Sequence, residues 1–199
     1  MAYNKFTIET VRKTFGIEVV SDQKIFSEIV SVVPSDLLQK FLDRYVSLGS
    51  AIGTEKARSE FIIAPILAEL TELTHHQVSL FSGIDFNVDD ERGLTGRCDF
   101  MLSASNSQYS LVAPVLAVVE AKNENLNTGL GQCMAEMIAV QIFNAKEGLP
   151  PQTVYGAVTT GSVWKFLKLD EARICIDTKE YFIESLELIL GILLAIVKK

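Results

Sequence analysis

Two apolar runs separated by a polar turn constrain this chain more than any other stretch. Residues 96–103 read Gly-Arg-Cys-Asp-Phe-Met-Leu-Ser, residues 103–110 are small and polar, and residues 114–122 read Pro-Val-Leu-Ala-Val-Val-Glu-Ala-Lys. Runs of this composition flanking a turn predict adjacent antiparallel strands. Each run carries charge where a sheet interior is dry. Asp99 interrupts the first; Glu120 and Lys122 end the second, on one face by alternation, with Ala121 on the other. Carboxylates gathered on one face repel each other and lose hydration, so a fold keeps them only against a cation or a set of hydrogen bonds. Lys122 offers one charge against two. A divalent ion would supply the remainder, and an oxygen-only ligand set suits Mg²⁺ or Mn²⁺ rather than zinc. The plainer reading of the same charges is a structural ion pair at a strand end.

The bulk of the sequence sets the frame for that hairpin. With 199 residues, 48% hydrophobic and 22% charged, the chain fits one domain with a core of its own. Its three cysteines, Cys98, Cys133 and Cys175, are odd in number and form no C-x-x-C or Cys/His cluster, so neither a disulfide framework nor a zinc site is expected. A cytoplasmic protein is expected, since the first residues lack the apolar core of a signal peptide. The net charge of −7 has the wrong sign for gripping nucleic acid by phosphate neutralisation alone. Metal ions, a lopsided charge distribution or a basic partner would have to offset it.

Helical spacing of Phe6, Val11 and Phe15, of Ile25, Phe26, Ile29 and Val30, and of Leu37, Leu38, Phe41, Leu42 and Tyr45 predicts a helical extension over residues 1–50, packed on a domain spanning 51–199. A helix from about Thr54 to Leu73 follows, capped by Thr54 and kinked at Pro65. At 100° per residue Glu55 falls nearer the centre of its apolar face and Glu60 lies at the margin. A strand is expected over 78–88 with a bulge at Ser82-Gly83, a helix over 129–146 with Gln132 and Glu136 one above the other, and strands over 153–160, 163–169 and 173–177. From Thr178 the chain reads as an apolar helix. Its ten-residue run Leu188–Val197 is shorter than the about 20 residues that span a bilayer, so no membrane is expected. Being apolar all round, that helix needs cover from its own domain or from a second copy, and a homodimer is the expectation.

Asp99 followed by Glu120-Ala-Lys122 on the next strand resembles the PD-(D/E)XK nuclease superfamily, the restriction-endonuclease-like fold, with Cys98 where the motif's name has proline. The setting matches in the same order. Thr54-Glu-Lys-Ala-Arg-Ser-Glu-Phe-Ile-Ile-Ala-Pro-Ile-Leu-Ala-Glu-Leu70 is similar to the first helix of that fold, and Gly129-Leu-Gly-Gln-Cys-Met-Ala-Glu136 opens a helix with a glutamine. Tyr155–Phe166 looks like the strand pair that follows, especially in the N-terminal nuclease domains of type I restriction motor subunits. The resemblance covers about Thr54 to Leu169.

It implies an α/β fold with a mixed central sheet flanked by helices, and metal-dependent phosphodiester hydrolysis of nucleic acid, DNA in the first instance. Asp99, Glu120, the Ala121 carbonyl and an acid from the first helix would hold Mg²⁺ or Mn²⁺. The resemblance favours Glu60 for that acid, with Glu55 the alternative. Lys122 would orient or deprotonate the attacking water, and Gln132 would help position it. The competing expectation is the same scaffold without catalysis, binding nucleic acid or a protein partner.

Overall fold

A computed structural model describes residues 2–198. A 3-10 turn at Tyr3–Lys5 leads into helix α1 (Ile8–Phe15), capped by Thr7, and then strand β1 (Glu18–Val20). Residues 21–35 run without regular structure up to helix α2 (Asp36–Ile52). A continuous helical stretch follows as α3 (Glu55–Arg58), a π-helical turn (Ser59–Ile63) and α4 (Ala64–Leu73). Strands β2 (Ser79–Asp85), β3 (Arg97–Ser103) and β4 (Val115–Ala121) precede helix α5 (Asn127–Lys146). Strands β5 (Val154–Thr159), β6 (Val163–Asp170), β7 (Arg173–Ile176) and β8 (Tyr181–Phe182) then lead, through a 3-10 turn, to helix α6 (Leu186–Val197).

These strands make one mixed, open sheet in the order β1-β7-β6-β5-β4-β3-β2, with β8 also paired to β6. The pairs β4–β5 and β1–β7 are parallel and the other neighbours antiparallel. A parallel pair needs a crossover, and α5 provides it between β4 and β5. One face of the sheet is covered by α2, the α3–α4 stretch, α6 and the irregular segment, around Phe100, Val119, Ala121, Tyr155, Trp164 and Phe166. The other is covered by α5 and the N-terminal turn and helix, around Cys98, Met101, Val118, Val158 and Leu167. The general α/β architecture therefore matches the expectation, and the 96–122 hairpin lies where the sequence put it.

Several local readings need correction. The first 50 residues are not a helical extension throughout: β1 is an edge strand of the main sheet, and Ile25 to Val30 form no helix. Phe26 is buried and Ile25 and Ile29 pack on the same core, so the apolar spacing there reflects cover rather than coiling. The kink expected at Pro65 takes the form of the π turn just ahead of it. Proline lacks an N–H and its ring crowds the carbonyl four residues back, and a wider turn relieves both. The bulge expected at Ser82-Gly83 is a break of alternation without a register shift. Phe81 and Ile84 on β2, like their partners Met101 and Cys98 on β3, all face the α5 side, so each strand skips one step, at Gly83 (φ 62°) and at Asp99.

The C-terminal helix begins at Leu186, not Thr178, because Tyr181 and Phe182 pair with Trp164 and Val163 instead. It is covered from within the chain. A side chain at Gly191 would stand 2.3 Å from the Val30 carbonyl oxygen, and the backbone N of Val32 donates to the Glu187 carbonyl at 2.9 Å. Leu186, Ile189, Leu190, Ile192, Leu193 and Ile196 are buried. The exposed apolar helix on which the homodimer rested is thus accounted for by residues 29–32, α4 and β4. Among the described residues no helix is long and apolar enough to cross a membrane.

Candidate active site

The ladder between β3 and β4 ends at Phe100 and Val119. One step beyond, Asp99 stands opposite Glu120, and directly opposed residues of an antiparallel pair share a face. The strands have begun to separate there, and the Asp99 side chain fills the gap: its Oδ2 accepts a hydrogen bond from Ala121 N at 2.8 Å. The Ala121 carbonyl points from the same edge of β4, while its methyl group enters the opposite core. Past the end of β4 the parallel pairing continues for one more bond, from Lys122 N to the Thr159 carbonyl at 2.8 Å.

Glu120 is 1% exposed and faces α5. Its Oε1 accepts from Lys122 Nζ at 2.5 Å, and its buried Oε2 has no partner. Lys122 is itself 13% exposed at the side chain, and Nζ lies 3.8 Å from Glu55 Oε1. The stem of Lys122 runs over the first turn of α5 at Gly129, where a Cβ would be 3.1 Å from both Cγ and Cε. Only a residue without a side chain lets the helix start so close to that lysine.

Of the two acids expected from the first helix, Glu55 is the one brought to Lys122. Glu60 lies in the π turn, half exposed, and pairs with exposed Lys56 at 2.6 Å. The angle counted at 100° per residue points to the same acid, Glu55; it is the position implied by the resemblance, Glu60, that stands away from Lys122. Gln132 donates from Nε2 to Glu136 Oε1 at 3.1 Å and is thereby tied down. Glu136 is fully buried, and its Oε2 also lacks a partner. It is the acid that reading the sequence for function passed over. Its signal was a carboxylate inside a helix whose residues 133–140 are otherwise apolar and buried.

The electrostatics follow from three buried or half-buried acids facing one lysine, with Glu55 at the rim. Burial first, and then the Asp99 charge, push the Glu120 carboxyl from 4.5 up to about 8, against the pull of Lys122. Burial, then Glu120, push Glu136 well up in the same direction. Burial lowers Lys122, but Glu120, Glu55 and Asp99 together outweigh it, and the net direction is upward. The two partners disagree, since a protonated Glu120 gives Lys122 no charge to lean on. The rise at Glu120 is the firmer of the two, because its carboxylate is closed to water and outnumbered.

Among the described residues no three His, Cys, Asp or Glu side chains stand in an arrangement that would hold a metal ion. The carboxylates make protein contacts instead: Asp99 with an amide, Glu120 with Lys122 and Glu136 with Gln132. Their chemistry nonetheless fits a hard divalent cation. They are oxygen donors, they outnumber the local cation, and two buried oxygens, Glu120 Oε2 and Glu136 Oε2, lack a partner. No protein-family model matches the chain, and no curated protein matches it.

Proposed function

We propose that this chain is a metal-dependent nuclease of the PD-(D/E)XK type, with a restriction-endonuclease-like core, acting on phosphodiester bonds of nucleic acid, DNA first. The observation that carries this is the buried Glu120 carboxylate at a strand end, with Asp99 on the same face, Lys122 against it and one oxygen unpartnered. Asp99, Glu120, the Ala121 carbonyl and Glu55 would hold Mg²⁺ or Mn²⁺. The bound ion would supply Lewis-acid stabilisation of the phosphate and a more acidic water.

The residues themselves divide the remaining work. Lys122, with its ammonium against Glu120 and 3.8 Å from Glu55, stabilises charge growing on phosphate oxygens. Its position is fixed at both ends, by Thr159 at the backbone and Glu120 at the ammonium. Glu136 fixes the amide nitrogen of Gln132, which leaves the amide oxygen to help position water. Glu60 has no part in this arrangement.

A second reading is a non-catalytic module binding nucleic acid or a protein, and one observation favours it in its protein-binding form. A cleft of about 310 Å³ at the end of β5 is lined by Glu124 and Glu180, which repel phosphate. Titration with Mn²⁺ followed by cleavage of plasmid and oligonucleotide substrates separates the two. Metal binding lost in Asp99→Ala together with cleavage by the unmodified protein supports the nuclease. Metal binding without cleavage of any DNA or RNA would leave the module, and no metal binding would refute the nuclease outright.

A further inference from the structure

We propose that Arg58 is a second phosphate-binding residue, gripping a backbone phosphate next to the one addressed by Lys122; this rests on the phosphodiester reading above. Arg58 lies three residues after Glu55 in α3, so the two side chains project from the same side of the helix. Glu55 reaches Lys122. Arg58 Nη1 donates to the Thr160 carbonyl at 2.9 Å, and the preceding residue, Thr159, accepts from Lys122 N. The backbone of Lys122 and the side chain of Arg58 are thus anchored on consecutive residues at the end of one central strand.

The guanidinium has donors to spare beyond that anchor. Thr160 is its only hydrogen-bond acceptor among the described residues, no carboxylate lies within ion-pairing distance, and its buried Nε has no partner. The Nε is closed to solvent, but the remaining Nη donors of this half-buried fork are not spent on protein acceptors, and a phosphate is the ligand whose geometry and charge they match. A clip holding α3 to the turn after β5 would need the hydrogen bond to Thr160 but neither the charge nor the spare donors.

The test is binding of a short duplex DNA oligonucleotide by fluorescence anisotropy, with Ca²⁺ in place of Mg²⁺ to prevent cleavage, over a range of salt. One phosphate contact contributes about 0.9 to the slope of log K against log salt, which is about eightfold in affinity at 0.1 M. Arg58→Gln is expected to lower the slope and the affinity by about those amounts, with Mn²⁺ binding at Asp99 and Glu120 unchanged. Arg58→Lys should restore the slope and recover only part of the affinity. An unchanged slope in a folded Arg58→Gln variant overturns the proposal and leaves the nuclease reading intact. An unmodified protein that binds neither duplex nor single-stranded oligonucleotide overturns both. Should Arg58→Gln fail to fold, Arg58→Lys decides: unchanged affinity at an unchanged melting temperature refutes the bidentate grip.

Discussion

Replacing Glu120 with glutamine tests the buried carboxylate directly, through stability rather than activity. A carboxyl that holds its proton up to about pH 8 when folded, and releases it near 4.5 when unfolded, makes the folded state bind more protons over that interval. Stability of the metal-free protein must then fall as pH rises, by up to about 1.4 kcal/mol per unit, and level off above pH 8. Carried through, the loss is roughly 5 kcal/mol, a large share of the stability of a domain this size. Glu136 is shifted in the same direction and adds to the slope. Urea unfolding in a chelating buffer, from roughly pH 5 to 9, reads the effect. Glu120→Gln should be close to the parent in stability at the acid end and clearly more stable at the alkaline end. A residual slope belonging to Glu136 should disappear in Glu120→Gln/Glu136→Gln. Added Mg²⁺ or Mn²⁺ should raise the stability of the parent most where the carboxylates are ionised and do little for the variant. If the metal-free parent is equally stable across this range, or if Glu120→Gln keeps its whole slope, the account of a strained, outnumbered carboxylate is wrong.

Three further outcomes are expected. Lys122→Ala should retain or tighten Mn²⁺ binding while abolishing cleavage, whereas Glu120→Ala loses both; equal loss of metal affinity in the two, measured by calorimetry, would make Lys122 structural. Glu55→Ala should weaken Mn²⁺ binding by about tenfold or more, and Glu60→Ala should match the parent within a factor of two, in keeping with about 0.3–0.5 kcal/mol for an exposed i,i+4 pair; the reverse ranking would restore Glu60 to the site. Gly129→Ala places a Cβ 2.7 Å from Val158 Cγ1 and 3.1 Å from Lys122, so it should cost about 1–3 kcal/mol and reduce cleavage beyond what the lost stability explains; a variant with parental melting and parental activity would show that the helix start is free to shift.

How much of this could be read from residues varied with the range of the forces involved. The hairpin, α5 and the β5–β6 pair were legible because each is announced by periodicity and by its own turn, and their boundaries differ from the expected ones by a residue or two. Asp99, Glu120 and Lys122 were legible because charge within an apolar run has few structural uses. Glu55 was legible from the helix count; only the resemblance favoured Glu60, which lies in the π turn and pairs with Lys56. β1 could not be found from three residues, since its pairing with β7 is made across about 150 positions of chain and no local signal encodes it. Glu136 stands one turn from Gln132, and local spacing alone gives it no role; only the packing of α5 between the sheet and the N-terminal turn makes it a buried charge.

The stitching of the first segment to the last has a consequence for how the molecule is made. Glu18 N donates to the Ala172 carbonyl, Thr178 N to the Gln23 carbonyl and Val32 N to the Glu187 carbonyl, so these bonds and the β1–β7 ladder join residues 18–32 to residues 172–187. During synthesis the central hairpin and α5 can form as soon as they emerge, while residues 18–32 have no partner until residues beyond 170 appear. Contacts of such sequence separation close late, because the entropy of the long loop is lost before they return any energy. Until then Phe26, Ile29 and Val32 stand in water, and so do the faces of α4 and the sheet that wait for α6. For this protein, the window in which a chaperone or a wrong neighbour finds its apolar surface stays open until residues 172–197 have been made.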